Sequence, residues 1–387
     1  MFFSEGVDIV LQPYGAFLSK LRTNQFLVID RAATSVLLDI ALANDSELET
    51  KTVNRAELCE VLRTKGFLQE SKTQSAFPRI LTNPDKRLRY VRADIEVTNR
   101  CNLACLYCYA EVNKSTFELS LEEWKEILTP MHENGLRAVL FSGGEPFIRD
   151  DFVDLLKWSA GKFITEINTN GRYIDSDIAA ELSKLNLKRA QVSLDSFTSE
   201  HHDNLRGKHA HRFAINAIEA LRQHDVPVQI SCVATKKNEC ETSKLIDFAA
   251  EIGATINISP VTKNGFAANI DDEMWSRDYE TKFRFYSDSE DFDFGGMPIC
   301  QSAVGYVDDS FAGDLKPCNQ REGYFEPSKE VALLGRENKW WLRDFGETKL
   351  GEAVAKLPFD SSKNQMVSGN NNICHLQNFL LGTLEVK

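Results

Sequence analysis

A regular alternation running from Tyr90 to about residue 260 constrains this chain more than any other feature: short apolar, β-branched runs take turns with longer stretches whose apolar residues recur at helical spacing. The strand candidates are Arg92-Val97, Arg137-Ser142, Phe163-Thr169, Arg189-Leu194, Val228-Val233 and Thr255-Ser259. Between them the spacing predicts helices over Leu121-Asn134, Asp151-Ala160, Ser176-Leu185, Arg212-His224 and Thr242-Glu251. Ser120 and Glu123 make a capping box for the first. Strand and helix in steady succession are the pattern of a parallel sheet with helical crossovers. The expected fold class is therefore α/β, with six strands forming a partial, TIM-like (β/α)6 barrel.

Outside that stretch the pattern changes. Residues 1–75 read as a separate small domain, with short strands at Val7-Leu11 and Gln25-Ile29, helices near Ala32-Ala43 and Asn54-Lys65, and Gly66 placed as a helix stop. Small strands plus a few helices predict a winged-helix-like module. Residues 76–89, with Pro78 and Pro84 and few periodic apolar positions, read as linker. The barrel then occupies 90–265. The tail, 266–387, is rich in Gly, Asp and Asn and holds too little periodic structure to be more barrel.

Size and charge remove several function classes. No window of the 387 residues resembles a membrane span, and the start Met1-Phe2-Phe3-Ser4-Glu5-Gly6 lacks the pattern of a secretory signal, so a cytoplasmic protein with no membrane partner is expected. A net charge of -12 argues against nucleic acid as a partner, because phosphate binding needs clustered Lys and Arg. Nine cysteines, an odd number, fit metal ligation or redox chemistry better than a disulfide framework.

Three of those cysteines, Cys101, Cys105 and Cys108, are separated by three and then two residues in a loop after the first barrel strand. A structural zinc site generally wants four ligands, and no fourth Cys or His lies locally. Three thiols at this spacing can each reach a different corner of a [4Fe-4S] cube, leaving one iron open. In barrels of this kind the site lies at the C-terminal ends of the strands. That rule gathers the triplet, Ser142-Gly143-Gly144-Glu145-Pro146, Asn168-Thr169-Asn170-Gly171 and Asp195-Ser196 on one rim. Cys59 and Cys232 read as core cysteines, while Cys240 falls in a loop on the rim.

With Tyr107 ahead of its third cysteine, the triplet resembles the signature of the radical S-adenosylmethionine (SAM) superfamily over about residues 90–260. The resemblance implies a [4Fe-4S] cluster on Cys101, Cys105 and Cys108, with SAM chelating the open iron and Tyr107 in the cofactor-binding set. Ser142, Gly143, Gly144 and Glu145 resemble the segment that meets the methionine amino group, where glycine lets the backbone approach a ligand. Ser193, Asp195 and Arg206 resemble contacts to ribose and methionine carboxylate in peptide-modifying members, a role that suits the planar Arg fork. Asn168 and Asn170 would line the adenosine side.

Cys300, with Gly313 and Cys318 after it, resembles the opening of the auxiliary-cluster extension called SPASM, or its shorter form, twitch. Cys374 completes a set sufficient for one auxiliary [4Fe-4S] cluster, whose last iron would take substrate or a side chain such as His375. Phe26-Leu27-Val28-Ile29-Asp30-Arg31-Ala32-Ala33 and the later Leu62-Leu68 are similar to the leader-recognition element of enzymes that mature ribosomally made peptides. Such an element binds its leader as an added strand. The resemblance thus implies a precursor peptide with leader as substrate and a reductase such as flavodoxin or ferredoxin as partner. A 5′-deoxyadenosyl radical would abstract hydrogen and lead to a carbon–carbon or thioether cross-link. Peptide epimerisation, with Cys240 or Cys374 as hydrogen donor, is the enzymatic alternative; a non-catalytic iron–sulfur, leader-binding scaffold is the other.

Overall fold

The computed structural model describes residues 2–12, 15–41, 55–70, 77–82, 91–108, 112–113, 118–260, 306–309 and 315–316. Strands β1 (Phe2–Phe3), β2 (Val7–Gln12), β3 (Gly15–Lys20) and β4 (Gln25–Asp30) are followed by α1 (Arg31–Ala41), α2 (Arg55–Thr64), β5 (Leu68–Gln69) and β6 (Arg79–Leu81). β2, β3 and β4 form an antiparallel meander, and β6 joins β2 in parallel, giving the order β4-β3-β2-β6. Ile9, Leu18, Leu37, Leu62 and Phe67, all fully buried, close the core between this sheet and the helices. Four strands depart from the sequence expectation: β1 and β5, of two residues each, and β3 and β6. β3 has five of its six residues buried, so it lacks the alternation that would mark it. β6 lies within the stretch expected to be linker.

The barrel runs β7 (Arg92–Glu96), α3 (Leu121–Glu133), β8 (Ala138–Ser142), α4 (Phe152–Ala160), β9 (Ile164–Thr169), α5 (Ser176–Ser183), β10 (Leu187–Ser193), α6 (Ser199–Arg206), α7 (Ala210–Gln223), β11 (Val228–Ala234), α8 (Thr242–Glu251) and β12 (Thr255–Pro260). Each strand pairs in parallel with the next in sequence. All six expected strands and five expected helices are present, their ends shifted by two residues at most. The capping box is formed, with Ser120 Oγ accepting from Glu123 N and Glu123 accepting from Ser120 N. Two strands from the tail, β13 (Tyr306–Asp309) and β14 (Leu315–Lys316), correct the expectation that it adds nothing to the barrel: β13 pairs in parallel with β7, and β14 antiparallel with β13. At four and two residues they are too short to show a period.

The two faces of the sheet differ in chemistry. Ala93, Ile95, Val139, Phe141, Ile167, Val192 and Ile230 point to a buried layer shared with Trp124 and Leu128 of α3, Leu155 of α4, Leu182 of α5 and Leu221 of α7. The alternate positions carry Arg92, Asp94, Glu96, Ser142, Glu166, Asn168, Arg189, Gln191, Ser193, Gln229 and Ser231. A parallel sheet covered by helices on both faces reads as continuous apolar runs; this one is covered on one face, and its concave face is polar. Glu166 braces the interior, accepting from Arg92 Nη1 at 2.8 Å and Arg189 Nε at 2.8 Å. Burial works to raise its pKa, but the two guanidiniums hold it down at about 2.

The small domain packs against the N-terminal ends of the barrel strands. Asp8 pairs with Arg137 at 2.6 Å, Asn24 Nδ2 donates to Asn186 Oδ1 at 2.9 Å, and Lys188 Nζ lies 3.9 Å from the centre of the Phe26 ring. The opposite end of the barrel carries the cysteine loop.

Candidate active site

The cysteine loop is knitted to the glycine segment by an extension of the β7–β8 ladder. Val97 N donates to Ser142 O at 3.0 Å, Gly144 N to Thr98 O at 2.8 Å, and Glu145 N to Arg100 O at 2.8 Å. At Gly143 (φ +136°) a Cβ would lie 2.4 Å from Thr98 O, and at Gly144 2.2 Å from Arg100 O. Both glycines are therefore required by contact between the two loops, a reason the sequence expectation, framed as ligand access, did not include. Below them Arg149 Nη1 donates to Val97 O and Leu119 O at 3.1 and 2.9 Å. Glu118 accepts from Thr98 Oγ1 and from both Nε and Nη2 of Arg100.

Within the loop, Cys101 Sγ accepts from Leu103 N at 3.5 Å and lies 4.0 Å from Asn170 Nδ2; Cys105 Sγ lies 3.9 Å from Arg206 O. Burial, with neighbouring thiols adding to it, pushes Cys101 up to about 12 and Cys105 up to about 11. By themselves these thiols keep their protons, and a coordinating metal is what removes them. Among the described residues no three His, Cys, Asp or Glu side chains converge where a single metal ion would sit. A cube takes its thiolates at separate corners instead.

Three residues expected to face a cofactor are turned largely toward one another. The buried Asp195 carboxylate accepts from Tyr107 Oη, from Arg206 Nε at 2.6 Å and Nη2 at 3.1 Å, and from Val233 N at 2.9 Å. The Asp195 main chain donates to His202 Nδ1 at 3.1 Å and accepts from Asn238 Nδ2 at 2.7 Å. One carboxylate thus ties the cysteine loop, the end of β10, α6 and β11 together. Burial opposes its ionisation, yet Arg206 keeps its pKa below the usual range. Burial, reinforced by Asp195, raises the Tyr107 phenol well above its ordinary value. Only Nη1 of Arg206 lies outside this pairing, so the ligand-facing role expected of its fork is narrowed to that one nitrogen.

Glu145 is also turned inward. It accepts from Asn170 N at 2.7 Å, Thr169 Oγ1 at 2.8 Å and Phe147 N at 3.3 Å. Burial raises its pKa to about 7 against those donors. It fixes the end of β9, and with it Asn170, whose Nδ2 donates to Asn102 Oδ1 at 2.9 Å. Asn168 Nδ2 donates weakly to Ser142 Oγ at 3.4 Å. Two buried polar atoms on this rim, Asn168 Oδ1 and Asn102 Nδ2, have no partner among the described residues. An unsatisfied buried polar group costs about 1–3 kcal/mol. An acceptor and a donor left over beside Cys101 fit a polar ligand, and three thiols in one loop fit a cluster. Ser193 ends β10 opposite Ser231, at the same rim.

Cys59 and Cys232 are buried, as expected of core thiols, and Cys240 is exposed on the turn Glu239–Glu241, outside the network just described. Cys300, Cys318 and Cys374 lie outside the described residues. The sequence reading missed Asn102, Glu118, Arg149, His202 and Asn238. His202 and Arg206 share a face of α6 at i, i+4 spacing, which was the available signal; the others act through contacts distant in sequence.

Residues 95–249 match the Radical SAM superfamily profile. The Mycofactocin maturase MftC of Mycolicibacterium smegmatis is 31% identical over 182 residues, 46% of this chain and 46% of that protein. The AdoMet-dependent heme synthase of Oleidesulfovibrio alaskensis is 29% identical over 199 residues, 50% of this chain and 51% of that one. The chain spans about half the length of the curated relatives it matches. In fold, the crystal structure of Streptococcus suis SuiB bound to precursor peptide SuiA superposes with a TM-score of 0.64 at 16% identity, covering 94% of this chain and 92% of that one.

Proposed function

We propose that the chain is a radical SAM enzyme that modifies a ribosomally made precursor peptide, with its [4Fe-4S] cluster on Cys101, Cys105 and Cys108; the match of residues 95–249 to the Radical SAM superfamily supports this. The observation that carries this reading is the rim itself: three thiols in one knitted loop beside the unpartnered Asn102 Nδ2 and Asn168 Oδ1. When bound and reduced by one electron, the cluster and SAM would supply radical hydrogen-abstraction chemistry. The side chains bind and orient. Asn102, Asn168, Ser142 and Ser193 offer hydrogen bonds to SAM, Arg206 Nη1 offers one to its carboxylate, and Gly143 and Gly144 hold the loop that meets its amino group. Asp195, Tyr107 and Glu145 keep those groups in place.

The heme synthase relative shows that such a domain also serves substrates other than peptides. A peptide is favoured here by the four-stranded N-terminal sheet, in which β4 is an edge strand among the described residues, a position a leader can extend. The further parts of the reading are a cross-link as product, one auxiliary cluster on Cys300, Cys318 and Cys374, a reductase such as flavodoxin or ferredoxin as electron source, and a cytoplasmic site of action. Epimerisation through Cys240 or Cys374 is the competing chemistry. The test is co-expression with a short peptide encoded beside this chain, followed by mass spectrometry. A loss of two mass units that disappears in Cys101→Ala supports cross-linking. Inverted residues at unchanged mass, lost in Cys240→Ala or Cys374→Ala, support epimerisation.

A further inference from the structure

The cysteine loop is itself exposed at one point, and what surrounds that point is the unusual feature. Leu106, between two of the triplet cysteines, is 49% exposed. Its amide donates to Leu205 O at 3.0 Å, which sets the turn between α6 and α7 directly beside the loop. That turn presents exposed Lys208 and, one helical turn later, exposed Arg212. On the other side, the Asn170–Asn102 hydrogen bond brings in the loop carrying exposed Arg172. The Arg172 guanidinium lies 4.5 Å from the Phe213 ring centre and that of Arg212 5.7 Å from it, so the two cations flank one aromatic ring of α7. Arg172, Lys208 and Arg212 form no ion pair with a described residue. Asp203, the acid nearest the turn, accepts from the amides of His209 and His211 at 2.7 and 2.9 Å. Arg172, Lys208 and Arg212 thus stand around an exposed apolar residue of the cysteine loop, while Asp175 and Asp203 on the same segments accept from backbone amides, on a chain whose net charge is -12.

We propose that this basic face, centred on Leu106 and framed by Arg172, Lys208 and Arg212, is the docking surface for an acidic one-electron carrier protein that reduces the cluster. The inference rests on the cysteine triplet being the cluster site. Its logic is local electrostatics. An acidic carrier is repelled by the chain as a whole, so productive encounters need a patch of opposite sign where the electron enters. Leu106 gives that patch an apolar centre in the loop that holds the cluster. In the step itself the reduced carrier loses one electron and the cluster gains one, with no bond made or broken and no proton moved.

The test uses the reconstituted full chain and a purified, fully reduced acidic flavodoxin. Stopped-flow absorbance follows cluster reduction, and a binding titration measures complex formation. The double variant Lys208→Glu, Arg212→Glu is expected to bind flavodoxin more weakly and to be reduced by it at least about tenfold more slowly at low ionic strength, within the range of electrostatic steering. The difference should shrink as salt rises, because exposed charges are screened. Iron content and reduction by dithionite are expected to stay as in the unsubstituted protein. The milder Lys208→Gln, Arg212→Gln variant should fall between the two. Reduction and binding by flavodoxin at native rates in both variants would overturn the proposal. So would an equal loss with dithionite, which assigns the residues to the integrity of the loop. A chain that takes up no cluster at all refutes instead the reading on which the inference rests.

Discussion

Gly144 shows how narrowly single residues are fixed on this rim. A methyl group there would meet the Arg100 carbonyl at 2.2 Å, and backbone cannot yield as a flexible side chain can. Gly144→Ala is expected to push the cysteine loop off the glycine segment and to lose most of the iron on reconstitution, read by iron and sulfide analysis; full iron loading would contradict the contact. His202 is as constrained in its protonation. Burial lowers its pKa to about 4 from an ordinary 6.5, so the unfolded chain takes up a proton that the folded chain does not. Its contribution to stability is complete above about pH 6.5 and is lost as the pH falls toward 4, at up to about 1.4 kcal/mol per pH unit. Melting temperatures across that window should therefore fall less steeply in His202→Asn than in the unsubstituted chain, and equal slopes would contradict this.

At the scale of elements, the sequence spoke clearly wherever burial was one-sided. The barrel strands and five of their helices carry a period, because each has one apolar face toward the shared layer. β3, buried on both sides, has no period, and α6 hides because two of its three buried residues are His202 and Arg206. The rim was legible as a gathering of loops, since the barrel's topology alone brings strand ends together. The partnering of Asp195 with Tyr107 and Arg206 was not, because hydrogen bonds between separate loops leave no pattern in the chain. The same holds for the strut from Glu166 on β9 to Arg92 on β7 and Arg189 on β10. Removing one member of a buried ion pair costs about 3–5 kcal/mol, because the remaining charge is stranded. Glu166→Gln should accordingly lower the melting temperature sharply and speed amide exchange in β7, β9 and β10. A melt within a degree of the native one would show the strut to be of no consequence.

At the scale of the molecule, the small sheet and the cysteine loop stand at opposite ends of the barrel. The contacts that hold the small domain, Asp8 with Arg137, Asn24 with Asn186 and Phe26 with Lys188, are all at the N-terminal ends of strands. Asp8→Asn is therefore expected to make the chain more susceptible to limited proteolysis between the domains while leaving SAM cleavage intact; a parallel loss of both would mean that the ends are not separable. The polar concave face lies between them, lined by side chains that a purely structural sheet would not place there. These features meet in one claim, that the loop of Cys101, Cys105 and Cys108 holds a cluster that cleaves SAM. The most direct measurement is the yield of 5′-deoxyadenosine and methionine when the iron-loaded, dithionite-reduced chain is given SAM. Both products should form in equal amounts and vanish in Cys105→Ala. Their absence from a chain shown to carry a [4Fe-4S] cluster on these three cysteines would contradict it.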